Sequence, residues 1–293
     1  MNANKAYEII KEYRKKSILS CEDEFIYIEA LEYMIETTKN ADFMVELGSH
    51  YYSRQNYDQA LEYYEMADAY GDSWAAEGLG YIWYYGRTGK VDYEKAFNYY
   101  SKAAKNGNPK SEIKVADMYK NGYYVEKNYE KYCEIIESMI NRMDHPTFLG
   151  DPYPEVCTRL AKIRMDEGKT DEAVSLYLDA KHFLRQRIKY TCFFGDLNIM
   201  KWLIEDLYSM IKFDEEDFDL YDLYYLLKTP YTVRFRFNRK SYQVKSVEID
   251  GTVAIQFDNK WYRTLDDFFN NAAIGNNKLI TLDNDLYGFE VGQ

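Results

Sequence analysis

The chain has 293 residues, 46% hydrophobic and 29% charged, enough apolar material to bury a substantial core under a polar surface, which excludes wholesale disorder and a collagen-like rod. Its 49 acidic residues against 37 basic ones leave a net charge of −12; that balance repels nucleic-acid phosphates unless a local basic face dominates, and the sequence reveals none. The 32 tyrosines are the unusual feature, each supplying a broad packing surface with a polar edge.

The N-terminus, MNANKAYEIIKEYRKKS, mixes charged and apolar residues and lacks the uninterrupted apolar stretch of a signal peptide or membrane span. Cytoplasmic residence without a membrane partner is the expectation. Residues 1–40 read as helices that close one end of a larger array. After the polar SCED start, Phe25, Ile28, Leu31 and Ile35 recur at helical spacing, an expected core stripe.

A repeat follows. Tyr57, Ala60, Tyr63, Tyr64, Ala67 and Gly71 recur 36 residues later as Tyr93, Ala96, Tyr99, Tyr100, Ala103 and Gly107. Asp72 and Asn108, just past the repeated glycines, suit helix N-caps, and Pro109 suits a first helical position because no intrahelical bond needs its missing N–H. Helices are therefore expected over 74–85 and 109–120, each followed by a second starting near Tyr93 or Tyr129 with Asp92 or Asn128 as cap. Gly71 and Gly107 fit a left-handed helix end.

A shorter unit precedes these, with Leu47, Gly48 and Tyr51 aligned on Leu79, Gly80 and Trp83. A displaced fourth places Ala161, Ala173, Tyr177 and Ala180 over Gly48, Ala60, Tyr64 and Ala67. Small residues at Gly48, Gly80 and Ala116 on the first helix of each pair leave room for large rings across the crossing. Pro146, Pro152 and Pro154 mark a linker over 144–154. Residues 155–228 then hold the degenerate repeat and capping helices near 196–211 and 216–227.

Near Pro230 the period becomes extended. TVRFRF places Val233, Phe235 and Phe237 on one face, YQVKSVEI and TVAIQF supply two more strands, and LITLDNDLYGFEV offers one or two edge strands. Asp250-Gly251 and Asp258-Asn259 suit tight turns, and Thr264 with Asp267 can cap LDDFFNNA. Residues 229–293 thus read as a small α+β module, which resembles no family we recognise.

The repeats resemble Sel1-like repeats, relatives of the tetratricopeptide repeats, in Leu79-Gly80, Trp83, Gly86 and Lys95-Ala96, and in the next copy Val115-Ala116, Tyr119, Gly122 and Lys131-Tyr132. Tyr132 departs from the small alanine of that pattern, and Gly89 gives the preceding turn an atypical form. The resemblance covers residues 41–143 and, weakly, 155–185. It implies a mainly α chain, an α/α solenoid of helix pairs followed by the α+β module, whose first helices line a concave face. On that analogy Asp42 and Tyr52, then Trp74, Glu77, Tyr81 and Tyr84, then Lys110, Asp117 and Lys120 face a groove for a protein or peptide segment. Tyr51, Trp83 and Tyr119, at the repeated packing position, are expected to fill the stack instead.

Motifs for chemistry are weaker. His50, His145 and His182 lack metal-ligand spacing, and no HExxH or nucleophile elbow occurs. Cys21, Cys133, Cys157 and Cys192 form no CxxC pair and read as reduced, structural thiols. The acidic Asp214–Asp222 stretch lacks the glycine and ligand order of an EF-hand and reads as a solvated turn and helix start; Asp283 and Asp285 read as a turn between strands. Gly86-x-x-Gly89 lacks the Lys-Ser/Thr of a P-loop and fits a repeat turn.

The expected function is a noncatalytic protein- or peptide-binding adaptor without cofactor, metal or nucleic-acid partner. The alternatives are an enzyme with a site where the repeats meet the C-terminal module, and a structural subunit whose groove is filled by itself or by another copy.

Overall fold

The computed structural model describes residues 1–16, 20–143, 150–192, 194–249 and 251–292. The chain divides into two compact units, Met1–Ile136 and Glu137–Gln293.

The first unit is helical: α1 (Ala3–Tyr13), α2 (Cys21–Thr38), α3 (Ala41–Ser53), α4 (Tyr57–Asp68), α5 (Ser73–Tyr84), α6 (Tyr93–Lys105), α7 (Pro109–Asn121) and the first part of α8 (Tyr129–Arg142). The expected caps start these helices. Asp72 accepts the amides of Trp74 and Ala75, Asp92 that of Lys95, Asn108 that of Ser111 and Asn128 that of Lys131, satisfying donors that have no partner inside the helix. Gly71 and Gly107 sit at φ of 81° and 84° just beyond the second helix of their pairs, a conformation that L side chains resist. Ser20 and Asp23 close a reciprocal capping box on α2.

One expectation for α2 fails. Its buried residues are Tyr27, Ala30, Leu31, Met34 and Ile35, whereas Phe25 is 69% exposed. Positions 25 and 27 are two apart and so lie on opposite sides of a helix; with Tyr27 turned inward, Phe25 must face out. His50 is held in the same region by Glu24 (Nε2 to Oε1, 2.9 Å) between the rings of Tyr27 and Tyr51.

The crossings of α3 with α4 and of α5 with α6 follow one rule. A Cβ built on Gly48 would lie 2.8 Å from Tyr64 Cδ1, and one on Gly80 only 2.4 Å from Tyr100 Cε1. These are repeat-equivalent glycines meeting repeat-equivalent tyrosines, both rings buried. Tyr64 is also clasped from α5, where Gly78 leaves room for its Cε2 edge at 2.6 Å. The tyrosine of α4 thereby joins its own pair to the next. At the packing position, Tyr51 stacks on Tyr63 (5.7 Å), Tyr119 meets Phe97 edge to face (5.7 Å), and Trp83 lies under the Lys95 ammonium (3.8 Å). Trp83 is half-buried rather than enclosed.

The second unit begins with the displaced repeat, α9 (Tyr153–Asp166) and α10 (Thr170–Thr191), in which Ala161, Ala173, Tyr177 and Ala180 are all buried. Pro152 stands at the N-cap of α9 and Pro154 inside its first turn, so the helix takes in the end of the expected linker; Pro146 and His145 lie outside the described residues. α11 (Phe194–Met210) follows. The helix expected over 216–227 is reduced to a 3-10 turn (Leu220–Asp222) and α12 (Leu223–Leu226), because Asp219 takes the Tyr221 amide and starts the turn four residues late.

The extended segment forms β1 (Thr232–Phe237), β2 (Lys240–Ile249), β3 (Thr252–Phe257) and β4 (Lys260–Tyr262), then α13 (Leu265–Asn271), the short pair β5 (Ala273–Ile274) and β6 (Asn277–Lys278), and β7 (Tyr287–Gly292). Two 3-10 turns, Leu279–Thr281 and Asp283–Asp285, stand where LIT was a candidate strand. β4-β3-β2-β1-β7 form an antiparallel sheet in that order, so the final strand is an edge, as expected. Asp258 and Asn259 turn at φ of 47° and 62° between β3 and β4; Asp250 lies outside the described residues. Thr264 accepts the Asp267 amide at the start of α13.

The change of period at 230 is not a boundary between cores. Buried residues from Tyr153 in α9 to Leu286 before β7 form one cluster, in which Tyr224 stacks on Phe269 at 3.8 Å and the Tyr221 hydroxyl donates to Ile280 O. The sheet completes the core of α9–α12. Of the cysteines, Cys157 is buried, and burial pushes its thiol up to about 12; Cys133 and Cys192 are partly covered, and Cys21 is exposed.

Gly80→Leu drives a side chain into the buried Tyr100 ring, and unfolding in urea should show a loss of about 1 to 3 kcal/mol. Gly89→Leu, with no neighbour within 4 Å, tests instead the left-handed φ of 103° and should leave the core packing signature in near-ultraviolet circular dichroism unchanged.

Candidate protein-binding face

The first helices of the three pairs, α3, α5 and α7, are neighbours in the first unit. Trp74, Glu77, Tyr81 and Tyr84 lie on one row of α5, spaced three or four apart, and Lys110, Lys114 and Asp117 on one row of α7. The structure brings these two rows together. Lys110 Nζ lies 5.8 Å from the Trp74 ring centroid, and Lys114 Nζ lies 5.2, 5.1 and 5.3 Å from the rings of Tyr81, Tyr84 and Tyr85 while donating to the Tyr85 hydroxyl. An ammonium over aromatic faces is attracted by their negative quadrupoles and keeps its charge.

The rings support one another. Tyr81 stacks on Tyr85 (5.9 Å), and Tyr84 meets Tyr85, Tyr93, Tyr100 and Tyr123 edge to face. Tyr93 and Tyr123 stack at 4.5 Å beside it. Desolvation among these rings pushes the Tyr84 hydroxyl well above its ordinary range, with the nearby Asp117 carboxylate adding to the effect. The face extends to α3 through Arg87, whose guanidinium lies over Tyr85, Tyr57 and Tyr52 at 5.2, 5.5 and 5.9 Å and donates from Nε to the Tyr52 hydroxyl.

The sequence-derived residues fare unequally. Tyr52, Trp74, Tyr81, Tyr84, Lys110 and Asp117 share this surface, with Trp74 the open end at 52% exposure. Asp42 is exposed in the first turn of α3, where Asn40 accepts its amide. Lys120 lies over the Tyr132 ring of α8 at 4.9 Å. Glu77 is buried: it accepts from Asn108 Nδ2 at 2.8 Å, and Asn108 Oδ1 in turn caps α7. Burial raises its carboxyl, while Asn108, Lys110 and Lys114 oppose the shift. Glu77 therefore braces one repeat against the next cap rather than meeting a partner. Lys114, Tyr85 and Arg87 were not anticipated.

A second charged cluster lies in the second unit, beside a cleft of about 540 Å³ lined by Lys181, His182, Arg185, Tyr208, Phe218 and Phe289 among others. The acidic stretch expected to be solvated contributes to it. Lys181 Nζ contacts both Asp222 oxygens (2.7 and 2.8 Å) and Asp219 Oδ2 (2.9 Å); Arg185 contacts Asp219 (3.0 Å) and Asp283 (2.7 Å). Tyr208 donates to Asp222, and the Leu220 amide to Asp283. Asp222 and Asp283 are thus buried ion-pair partners, not free turn residues. His182 is exposed and pairs with Gln186. Among the described residues no group of three or more His, Cys, Asp or Glu side chains is arranged to hold a metal ion, and no helix is long and apolar enough to cross a membrane.

Stacked helix pairs with a repeated glycine and tyrosine crossing define an α/α solenoid. Residues 41–67, 75–108 and 109–131 match the Sel1 repeat family, and this segment is a Sel1 repeat array. The crystal structure of a Sel1 repeat protein from Oxalobacter formigenes is similar, with a TM-score of 0.52 at 17% identity over 73% of this chain and 80% of that one. A second similar structure is c5321, a protective antigen present in uropathogenic Escherichia coli strains displaying an SLR fold, with a TM-score of 0.45 at 16% identity over 65% of this chain and 46% of that one. No curated protein matches the chain.

Desolvation first, and then the Asp219 charge, push the Asp283 carboxyl up from 3.8 to about 6 against the pull of Arg185. Between those values the native state holds the proton more tightly than the unfolded chain. Its stabilising contribution is complete below the unfolded value and is lost as pH rises through about 6. Asp283→Asn removes this term. Urea unfolding of the two proteins should show wild type losing stability relative to the variant, on the order of 2 to 3 kcal/mol, between about pH 4 and about pH 7.

Proposed function

We propose that the α3, α5 and α7 face of the Sel1 repeats binds a segment of another protein, and that the chain acts as a noncatalytic adaptor. The observation that carries this reading is the aromatic shelf of Trp74, Tyr81, Tyr84 and Tyr85, reached by the cations of α7 and ending in a half-exposed tryptophan. Tyrosine and tryptophan bury large areas with few torsions to order, so binding energy concentrates on them. Sel1 and tetratricopeptide folds generally mediate protein contacts, which fits the same use. The charges of the second-unit cluster are engaged with one another, so that cluster reads as a brace for the sheet.

A phage-displayed random dodecapeptide library selected on the full chain tests the proposal. Selected peptides should slow amide exchange in residues 74–87 and 110–121. Trp74→Ala should weaken them by roughly tenfold or more, with Met66→Ala on α4 as a surface control. Selected peptides that protect other segments, and bind Trp74→Ala as well as wild type, would remove the assignment.

A further inference from the structure

We infer that the segment held on this face is acidic, its carboxylates meeting Arg87, Lys110 and Lys114; the inference rests on the protein-binding reading above. The chain as a whole is strongly anionic, and the arginines Arg14 and Arg54 and Lys102 of the first unit are paired with Glu46, Glu24 and Asp68. Arg87, Lys110 and Lys114 differ. Among the described residues none of the three forms an ion pair, and their charged groups rest on tyrosine and tryptophan rings instead.

A ring face stabilises a cation without neutralising it. The hydrogen bonds found, Lys114 to Tyr85 and Arg87 to Tyr52, occupy one donor each, and an ammonium and a guanidinium have more to give. Tyr85 serves both groups, accepting from Lys114 while lying under Arg87, so the cations form a continuous row. The acids nearby offset it only in part: Glu77 is turned inward onto Asn108 while still attracting Lys110 and Lys114, Asp117 stands on the α7 row, and Asp72 is at the α5 cap, where its oxygen is held by two amides.

Three cations separated by aromatic surface fit a chain whose carboxylates alternate with apolar side chains. The carboxylates would take the free donors in charge-assisted bonds, and the apolar groups would cover the rings. Such complementarity also speeds encounter, because the row is a local positive feature on an otherwise repelling surface.

The dodecapeptide selection on the full chain separates this inference from the reading beneath it. Enriched sequences should carry an excess of Asp and Glu, and binding of a synthetic enriched peptide, followed by fluorescence anisotropy, should weaken with added salt. Lys110→Glu/Lys114→Glu, surface changes checked for folding by circular dichroism, should lose roughly tenfold or more in affinity. Enrichment of neutral or basic sequences that still protect 74–87 would overturn the acidic assignment and leave the binding face standing. Failure of the library to yield any binder would remove both. Displacement of the acidic peptide by single-stranded dT20 at equal concentration, or dimerisation of the free chain abolished by the same charge reversals, would overturn it in favour of a nucleic acid or a second copy.

Discussion

The first unit depends on a tyrosine lying directly against a glycine. Tyr64 and Tyr100 pack their rings where a Cβ on Gly48 or Gly80 would intrude, so α3/α4 and α5/α6 close only because the first helix gives up a side chain at the crossing, while alanine serves at Ala116 and Ala161. Close approach costs backbone freedom at glycine, and the large area buried by the ring offsets it. Tyr64 reaches a second glycine, Gly78, on the next pair. The same residue that closes a repeat therefore sets the distance to its neighbour, and the spacing of α3 and α5 follows from one ring.

That spacing creates the surface. With first helices side by side, the rows of α5 and α7 come within reach of one another, and Lys114 falls among three tyrosine rings. Its repeat equivalent, 36 positions earlier, is Gly78. One position thus serves packing in one repeat and surface chemistry in the next, which a stack of quasi-identical units permits because each contacts only its neighbours. Tyr84 shows the same economy: one edge supports the buried Tyr100 and the face supports a cation.

Much of this was legible in the sequence because the repeat fixes roles at fixed spacing. Caps, left-handed glycines and the small-residue crossings sit where the period places them, whereas Trp74, Tyr81, Tyr84 and Lys110 follow from the resemblance to Sel1-like repeats. Local pattern does not extend to contacts made across the chain. Glu77 looked like a surface acid because its amide partner Asn108 is 31 residues away. Asp222 looked solvated because Lys181 lies 41 residues earlier on α10. Arg87 was passed over because it stands in the turn between helices, where no row includes it.

The second unit solves a different problem with charge. Its helices and sheet share one apolar core, but an apolar core alone specifies orientation poorly, since greasy faces slide. Lys181 and Arg185 on α10 fix the geometry by gripping Asp219 and Asp222 near α12 and Asp283 before β7. Buried ion pairs contribute little net stability once their desolvation is counted, but misregistered packing would leave those charges unpaired at a cost of several kcal/mol. Burial raises the Asp283 carboxyl first, and the excess of three carboxylates over two cations in the site, felt through Asp219, adds to it. The turn that leads into the final strand is thus tied to α10 through the Arg185–Asp283 pair.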